Sequence, residues 1–228
     1  MTSGHKSVYQ EHINEAIKKY YKPSTNILDV GANLGIFTIS FAKICSECTI
    51  HAFEPLPFLE KYLQKSVNDN NLKNVKLHST GLGDKNEKLD IYFNPENLGA
   101  SSIVDDLGVC QKTKIKIQRL DDLDIKNISF IKVDIQNYEY QFLLGARETL
   151  VNNDIALVLE LPRRTNAELA YLEKCTNFMY SIGYHPKEML SMKDLLFTKE
   201  SRILNKKTTS LKSSLLTRLK SFLVKRSY

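Results

Sequence analysis

No apolar run in the 228 residues approaches the roughly 20 consecutive apolar residues that a membrane helix needs. Met1 to Ser7 has no apolar stretch of the kind that heads a secretion signal, so a cytoplasmic location is expected. Cysteine is scarce: Cys45, Cys48, Cys110 and Cys175 point to a reducing compartment rather than a disulfide scaffold. Cys45 and Cys48 have C-x-x-C spacing, but no second pair completes a zinc site and nothing around them suggests a redox fold. No group of His, Cys and Asp residues has metal-ligand spacing. An obligatory metal is therefore not expected, although Mg²⁺ near Asp134 stays open. Internal repeats are absent too.

Net charge is lacking from the body of the chain. The total is +6, yet from Lys199 onward nine Lys or Arg face only Glu200, a net of +8, which leaves −2 for residues 1–198. A near-neutral body offers no basic groove, so a nucleic-acid partner is not expected. The length and the 42% hydrophobic content suit one α/β domain over residues 1–198, opened by a helix within residues 1–22, with a basic tail over 199–228. In that tail Leu211, Leu215, Leu219 and Phe222 form a helical apolar stripe flanked by Lys212, Arg218, Lys220, Lys225 and Arg226. Peripheral membrane contact, docking on this or a second copy of the chain, and a tail that orders only on contact all fit it.

What the chain does have is the stretch Asn26 to Thr38, Asn-Ile-Leu-Asp-Val-Gly-Ala-Asn-Leu-Gly-Ile-Phe-Thr. It reads as a buried strand, a glycine turn and the start of a helix, the first loop of a nucleotide-type α/β fold. A dinucleotide loop wants G-x-G-x-x-G to hold a pyrophosphate at the helix N-terminus. Here only Gly31 and Gly35 occur, and Asp29 precedes them. An acid there suits a cationic ligand, such as S-adenosylmethionine, better than a pyrophosphate. Glu54 closes the next apolar run 19 residues beyond Gly35, where an acid accepts hydrogen bonds from ribose hydroxyls. The spacing therefore assigns S-adenosylmethionine to Asp29, Gly31, Asn33, Gly35 and Glu54, with Phe37 and Pro55 beside them.

Downstream, strands and helices alternate with short links, which predicts a mostly parallel sheet covered on both faces. Strands are expected at 27–30, 49–53, 75–79, 88–93, 114–119, 130–134, 156–161, 184–190 and 194–199. Helices are expected at 9–21, 35–45, 55–70, 139–151 and 166–182. Residues 94–102 read as an irregular loop. In such sheets ligands lie at the carboxyl ends of the strands, and Asp29, Glu54, Asp134 and Glu160 all end strands there. Asp134 is expected to act as the general base or to position the acceptor. Glu160 is an acceptor candidate, and Glu139 reads equally as an acceptor contact or as an acid stabilising a helix start. Lys132 reads equally as an active-site ion-pair partner or a solvated edge residue. His51 reads as core, and His185 is a minor acceptor candidate.

These pieces together resemble the FkbM family of S-adenosylmethionine-dependent methyltransferases. The likeness runs from Asp29-Val30-Gly31-Ala32-Asn33-Leu34-Gly35 and Ala52-Phe53-Glu54-Pro55 through Ser101-Ser102 and Arg119-Leu120-Asp121-Asp122-Leu123. It continues over Phe130-Ile131-Lys132-Val133-Asp134, Glu139, Gly145-Ala146 and Leu157-Val158-Leu159-Glu160-Leu161. The resemblance implies the class I methyltransferase fold, Rossmann-like, with an antiparallel closing strand. It implies O-methyl transfer to a hydroxyl of a small molecule or glycan, a sugar first among them. It also places Ser101 and Ser102 near the cofactor, and Gly83 in the turn that often cradles adenine. After Asp134 the family usually shows Val-Glu-Gly-x-Glu, whereas this chain has Ile135-Gln136-Asn137-Tyr138-Glu139. Because of that departure, a non-catalytic S-adenosylmethionine-binding module is the main rival reading. An RNA O-methyltransferase and a dinucleotide oxidoreductase follow.

Overall fold

The protein is described by a computed structural model that covers residues 8–94, 97–102, 111–162 and 164–199. Helix α1 (Val8–Tyr20) leads into β1 (Asn26–Val30), α2 (Ile36–Ile44), β2 (Thr49–Phe53), α3 (Pro57–Asp69) and β3 (Val75–His78). A less regular stretch supplies β4 (Gly81–Leu82), β5 (Glu87–Asn94), β6 (Asn97–Ser102) and β7 (Gln111–Gln118). The alternation resumes with β8 (Ile128–Val133), α4 (Glu139–Gly145), α5 (Arg147–Asn152), β9 (Ala156–Glu160), α6 (Asn166–Ser181), β10 (Tyr184–Met189) and β11 (Asp194–Lys199).

The main sheet has the order β10-β11-β9-β8-β1-β2-β3. Its five strands from β9 to β3 are parallel, while β11 runs antiparallel to both β9 and β10. Strands β8 and β9 are buried along their whole length, as strands covered on both faces must be. The two-residue period of a strand then sorts the core. Ile27, Ile50, Phe130 and Val158 meet α1 and α2 on one face. Leu28, Val30, Ile131 and Leu157 meet α4, α5 and α6 on the other.

Local signals explain several boundaries. Thr165 and Glu168 form a reciprocal capping box that starts α6. Asp121 accepts the backbone N–H groups of Glu148 and Thr149 at 3.0 and 2.8 Å, satisfying orphan donors at the start of α5. The Arg119-Leu120-Asp121-Asp122 segment is therefore structural. Arg119 braces both aspartates at 3.4 and 3.2 Å.

The structure departs from the sequence reading in four places. The helix expected over 139–151 is two helices that meet at Ala146. Residues 97–102 form a strand rather than an irregular loop, and Gly81–Leu82 is a short strand rather than a turn. With β5 and β7 they build a second sheet, ordered β4-β7-β5-β6, that no local pattern announces. Strand β11 runs over Asp194–Lys199 as expected, and the Lys199 ammonium donates to the Val151 carbonyl at 2.6 Å. Fourth, Cys45 and Cys48 are joined as a disulfide across the turn that ends α2, where the sequence reading expects no such bridge. Their Cα atoms lie 5.4 Å apart, because the helix stops at Ile44 and the chain folds back into β2. Among the described residues no helix is long and apolar enough to cross a membrane. The apolar stripe from Leu211 to Phe222 lies outside the described residues.

Candidate active site

The site forms where β1, β2 and β8 end side by side. After Val30 the backbone turns through Gly31, whose φ of 81° lies in the left-handed region that glycine enters without strain. A side chain is excluded there, since a Cβ would stand 1.9 Å from the Asp134 carbonyl oxygen. The N–H groups of Gly31 and Ala32 both donate to the Phe53 carbonyl at 3.0 Å, tying the loop to β2. Glu54 completes the lacing, its two oxygens accepting the Asn33 N–H at 2.9 Å and the Leu56 N–H at 3.0 Å. Burial, opposed by those two N–H bonds, pushes the Glu54 carboxyl up to about 7.

Against this loop lies a cavity of about 260 Å³. Gly31, Asn33, Glu54 and Pro55 line it, together with the apolar Leu56, Leu82, Ile115 and Ile117, the Tyr138 ring, and the polar Asp134 and Gln136. The second sheet thus roofs the cavity with Ile115 and Ile117 of β7. These residues fit a nucleoside: a cradle that only glycine leaves open, a carboxylate with lone pairs to spare for a ribose diol, and apolar walls for a base. Not every residue assigned to the cofactor reaches this cavity. Asp29 is fully buried, accepting the Thr38 hydroxyl at 2.6 Å. Phe37 lies beneath the loop with its ring 4.5 Å from the Lys132 ammonium. Gly35 caps α2. At Gly83 a Cβ would meet the Tyr138 ring at 2.7 Å. Ser102 lies in β6, opposite Tyr92.

A second hollow of about 160 Å³ adjoins the first at Gln136 and is polar. Its walls are Gln136, Asn137, Glu139, Glu160, Pro162, Arg164, Glu168 and Lys193. Asp134 sits at the junction. Its Oδ2 takes the Lys132 ammonium at 3.3 Å and its Oδ1 takes the Gln136 amide at 3.1 Å. Burial works against the Asp134 charge, but Lys132, a bond from the Glu160 carboxyl and the Gln136 amide outweigh it and hold Asp134 below its ordinary value. Glu160 moves the opposite way, to about 7, because burial and the Asp134 charge both oppose its ionisation, despite Lys193 at 2.8 Å. Glu139 also rises to about 7, mainly by burial, while its Oε1 accepts the Ile135 N–H at 3.3 Å. The polar hollow thus brings a carboxylate held below its ordinary value, Asp134, beside two carboxyls raised to about 7, Glu139 and Glu160.

Sequence reasoning passed over Gln136 and Asn137 as departures only. Both have positive φ, 54° and 70°, so the chain keeps a left-handed bend after β8 without the family's glycine. Asn tolerates that region by its own local hydrogen bonding. Lys193, Arg164 and Tyr138 were missed altogether. Lys193 had a faint signal, as the residue before a strand that must end opposite Glu160. His51, within β2, bonds His78 at 2.9 Å, and His185 stands beside Tyr180; neither lines the two hollows.

The family described as Methyltransferase FkbM domain matches residues 29–198. Methyltransferase 1 of Beauveria bassiana (strain ARSEF 2860) is 27% identical over 142 residues, which are 52% of this chain and 57% of that protein. This chain thus spans little more than half of that relative's length. A solved structure of methyltransferase FkbM from Methylobacillus flagellatus KT matches with a TM-score of 0.53 at 19% identity, over 81% of this chain and 50% of that one. A SAM-dependent O-methyltransferase from Thermotoga maritima gives 0.54 at 11% identity, over 90% and 69%. At such identities the likeness is one of fold, the Rossmann-like class I methyltransferase fold.

Proposed function

The chain belongs to the FkbM methyltransferase family, and on that premise we propose that it is an S-adenosylmethionine-dependent O-methyltransferase acting on a hydroxyl of a small molecule or glycan, with a sugar as the favoured acceptor. One observation carries this reading. The Asp134–Glu160 carboxyl pair joins a cavity whose lining suits a nucleoside to a polar hollow. Gly31, Asn33, Glu54 and Pro55 would hold S-adenosylmethionine, which supplies an electrophilic methyl group when bound. The polar hollow would orient the acceptor. Its amides, Gln136 and Asn137, and its carboxyls suit a polyhydroxylated molecule, and among the described residues no aromatic ring lines it, as a planar phenol would favour.

The chain's own part in the chemistry is to position a hydroxyl and take its proton. Of the pair, Asp134 stays charged and orients, while Glu160, titrating near neutrality, is matched to accepting a proton at physiological pH. Glu139 backs the loop that joins the two hollows. Peripheral attachment through the basic tail belongs to the same proposal.

Two measurements test it. Calorimetry should give binding of S-adenosylmethionine and none of NAD. Mass spectrometry of metabolites and glycans made with and without the gene should reveal a species heavier by one methylene. Tight cofactor binding with no methylated product from any hydroxylated acceptor would favour a non-catalytic binding module instead.

A further inference from the structure

Lys132 lies in the middle of β8, opposite Asp29 of β1 in the parallel register, and its side chain is 2% exposed. A lysine inside a central strand is unusual, because a buried ammonium loses its hydration. Its neighbours account for it. Asp134 Oδ2 lies 3.3 Å from Nζ, Asp29 Oδ1 lies 3.8 Å away, and the Phe37 ring faces the ammonium at 4.5 Å. Asp194 of β11 adds a further negative charge nearby.

We propose that Lys132 is a positioning residue of this site: its ammonium, 3.3 Å from Asp134 and 3.8 Å from Asp29, is shared between the acid beneath the glycine loop and the acid beside the acceptor hollow and holds the Asp134 carboxylate charged and in place. The assignment rests on the methyltransferase reading for its purpose, but its geometry is independent of that reading. The two flanking acids respond differently. Asp29, fully buried and farther from Nζ, is pushed up by burial in spite of Lys132. Asp134, closer and also held by Gln136, stays down. Burial works against the Lys132 charge, yet Asp134 and Asp29 more than restore it. Facing the pair from other elements are Lys193, which holds Glu160, and Glu139 of α4, whose own carboxyl is raised in part by Asp134. Among these groups Lys132 is the cation in contact with Asp134. Gln136 reinforces it as a neutral donor where the family's usual residue would be a second acid.

The consequence is that Glu160 can lose and regain a proton while its partner stays fixed in charge. Lys132 does this from below the sheet's end without lining either hollow, so it touches neither reactant.

The test follows the carboxyl carbons directly by carbon-13 NMR of the whole chain, so it needs no acceptor. In the wild type the Asp134 carboxyl should titrate below the ordinary aspartate range and Glu160 near neutrality. Lys132→Met should raise the Asp134 midpoint by roughly 1–3 pH units, the usual effect of losing an opposite charge at this distance. Lys132→Arg, which keeps the cation, should bring it back down. An unchanged Asp134 midpoint in Lys132→Met would overturn the assignment. So would a wild-type Asp134 that titrates at or above the ordinary aspartate value, a result that stands even if the Met variant fails to fold. Calorimetry with S-adenosylmethionine runs alongside on the wild type. Absence of binding there would remove the functional reading, whereas binding with an unshifted Met variant would remove only the role of Lys132.

Discussion

The Asp134 carbonyl oxygen passes so close to Gly31 that a methyl group on the glycine would stand 1.9 Å away. Two strand ends separated by about a hundred residues of sequence are thereby pressed together beside the cavity proposed for the cofactor. Gly31→Ala should fail twice, through the clash and through its left-handed φ of 81°. A loss of more than about 1 kcal/mol in stability is expected, with S-adenosylmethionine affinity falling further than stability alone explains. Urea unfolding and calorimetry on the same preparation would separate the two effects.

Glu54 holds the loop through the Asn33 and Leu56 N–H groups and lines the cavity proposed for the cofactor. Glu54→Ala should weaken S-adenosylmethionine binding by about 1–3 kcal/mol, including the cost of unpaired donors. Unchanged affinity by calorimetry would remove Glu54 from the cofactor site.

Asp134→Asn keeps shape and removes charge. Turnover should fall by at least about tenfold, because the charge that orients Glu160, the proton acceptor, is lost, with cofactor affinity nearly unaltered. Loss of cofactor binding instead would move Asp134 out of the acceptor chemistry.

Glu139 supplies a pH test that needs no ligand. Its carboxyl rises from 4.5 in the unfolded chain to about 7 in the fold, chiefly by burial. Between those values the folded state binds the proton more tightly, so the contribution of this group is fully present below 4.5 and declines as pH rises to about 7. Against a Glu139→Gln variant, wild-type stability should therefore fall between pH 5 and pH 7 by on the order of 1 kcal/mol per pH unit and then level off. Parallel urea-unfolding curves for the two proteins across that range would contradict the shift.

Removal of residues 201–228 should leave the melting temperature and cofactor affinity unchanged, because β11 ends at Lys199. It should abolish sedimentation with anionic vesicles, where each basic residue is worth about 1 kcal/mol. A change from dimer to monomer on truncation would mark the tail as a subunit contact instead.

The parts of this fold that were legible in the sequence are those written locally. Ile27 to Thr38 announces strand, turn and helix because each residue's preference agrees with its neighbours. The second sheet was illegible because Gly81 and Leu82 become a strand only through Ile117 and Gln118 of β7, far along the chain. Lys132 shows the limit of periodicity. The two-residue rhythm puts it on the same face as Asp134, but a parallel strand hides both faces, so rhythm alone cannot say whether its charge meets water or an acid. The Lys193–Glu160 contact likewise exists only because β11 lies antiparallel to β9 with Asp194 opposite Glu160.

That placement of β11 bears on how the protein is made. The strand synthesised last among those described is inserted between β9 and β10, and its Leu195, Leu196 and Phe197 are completely buried. Until it leaves the ribosome, β9 has no neighbour on one side, and the hydrophobic surface on both sides of the gap stays open to other chains. Completion of the main sheet thus waits until β11 has been made. Substitutions in Leu195–Phe197 would be felt as poor yield during synthesis before they were felt as lost activity in the purified protein.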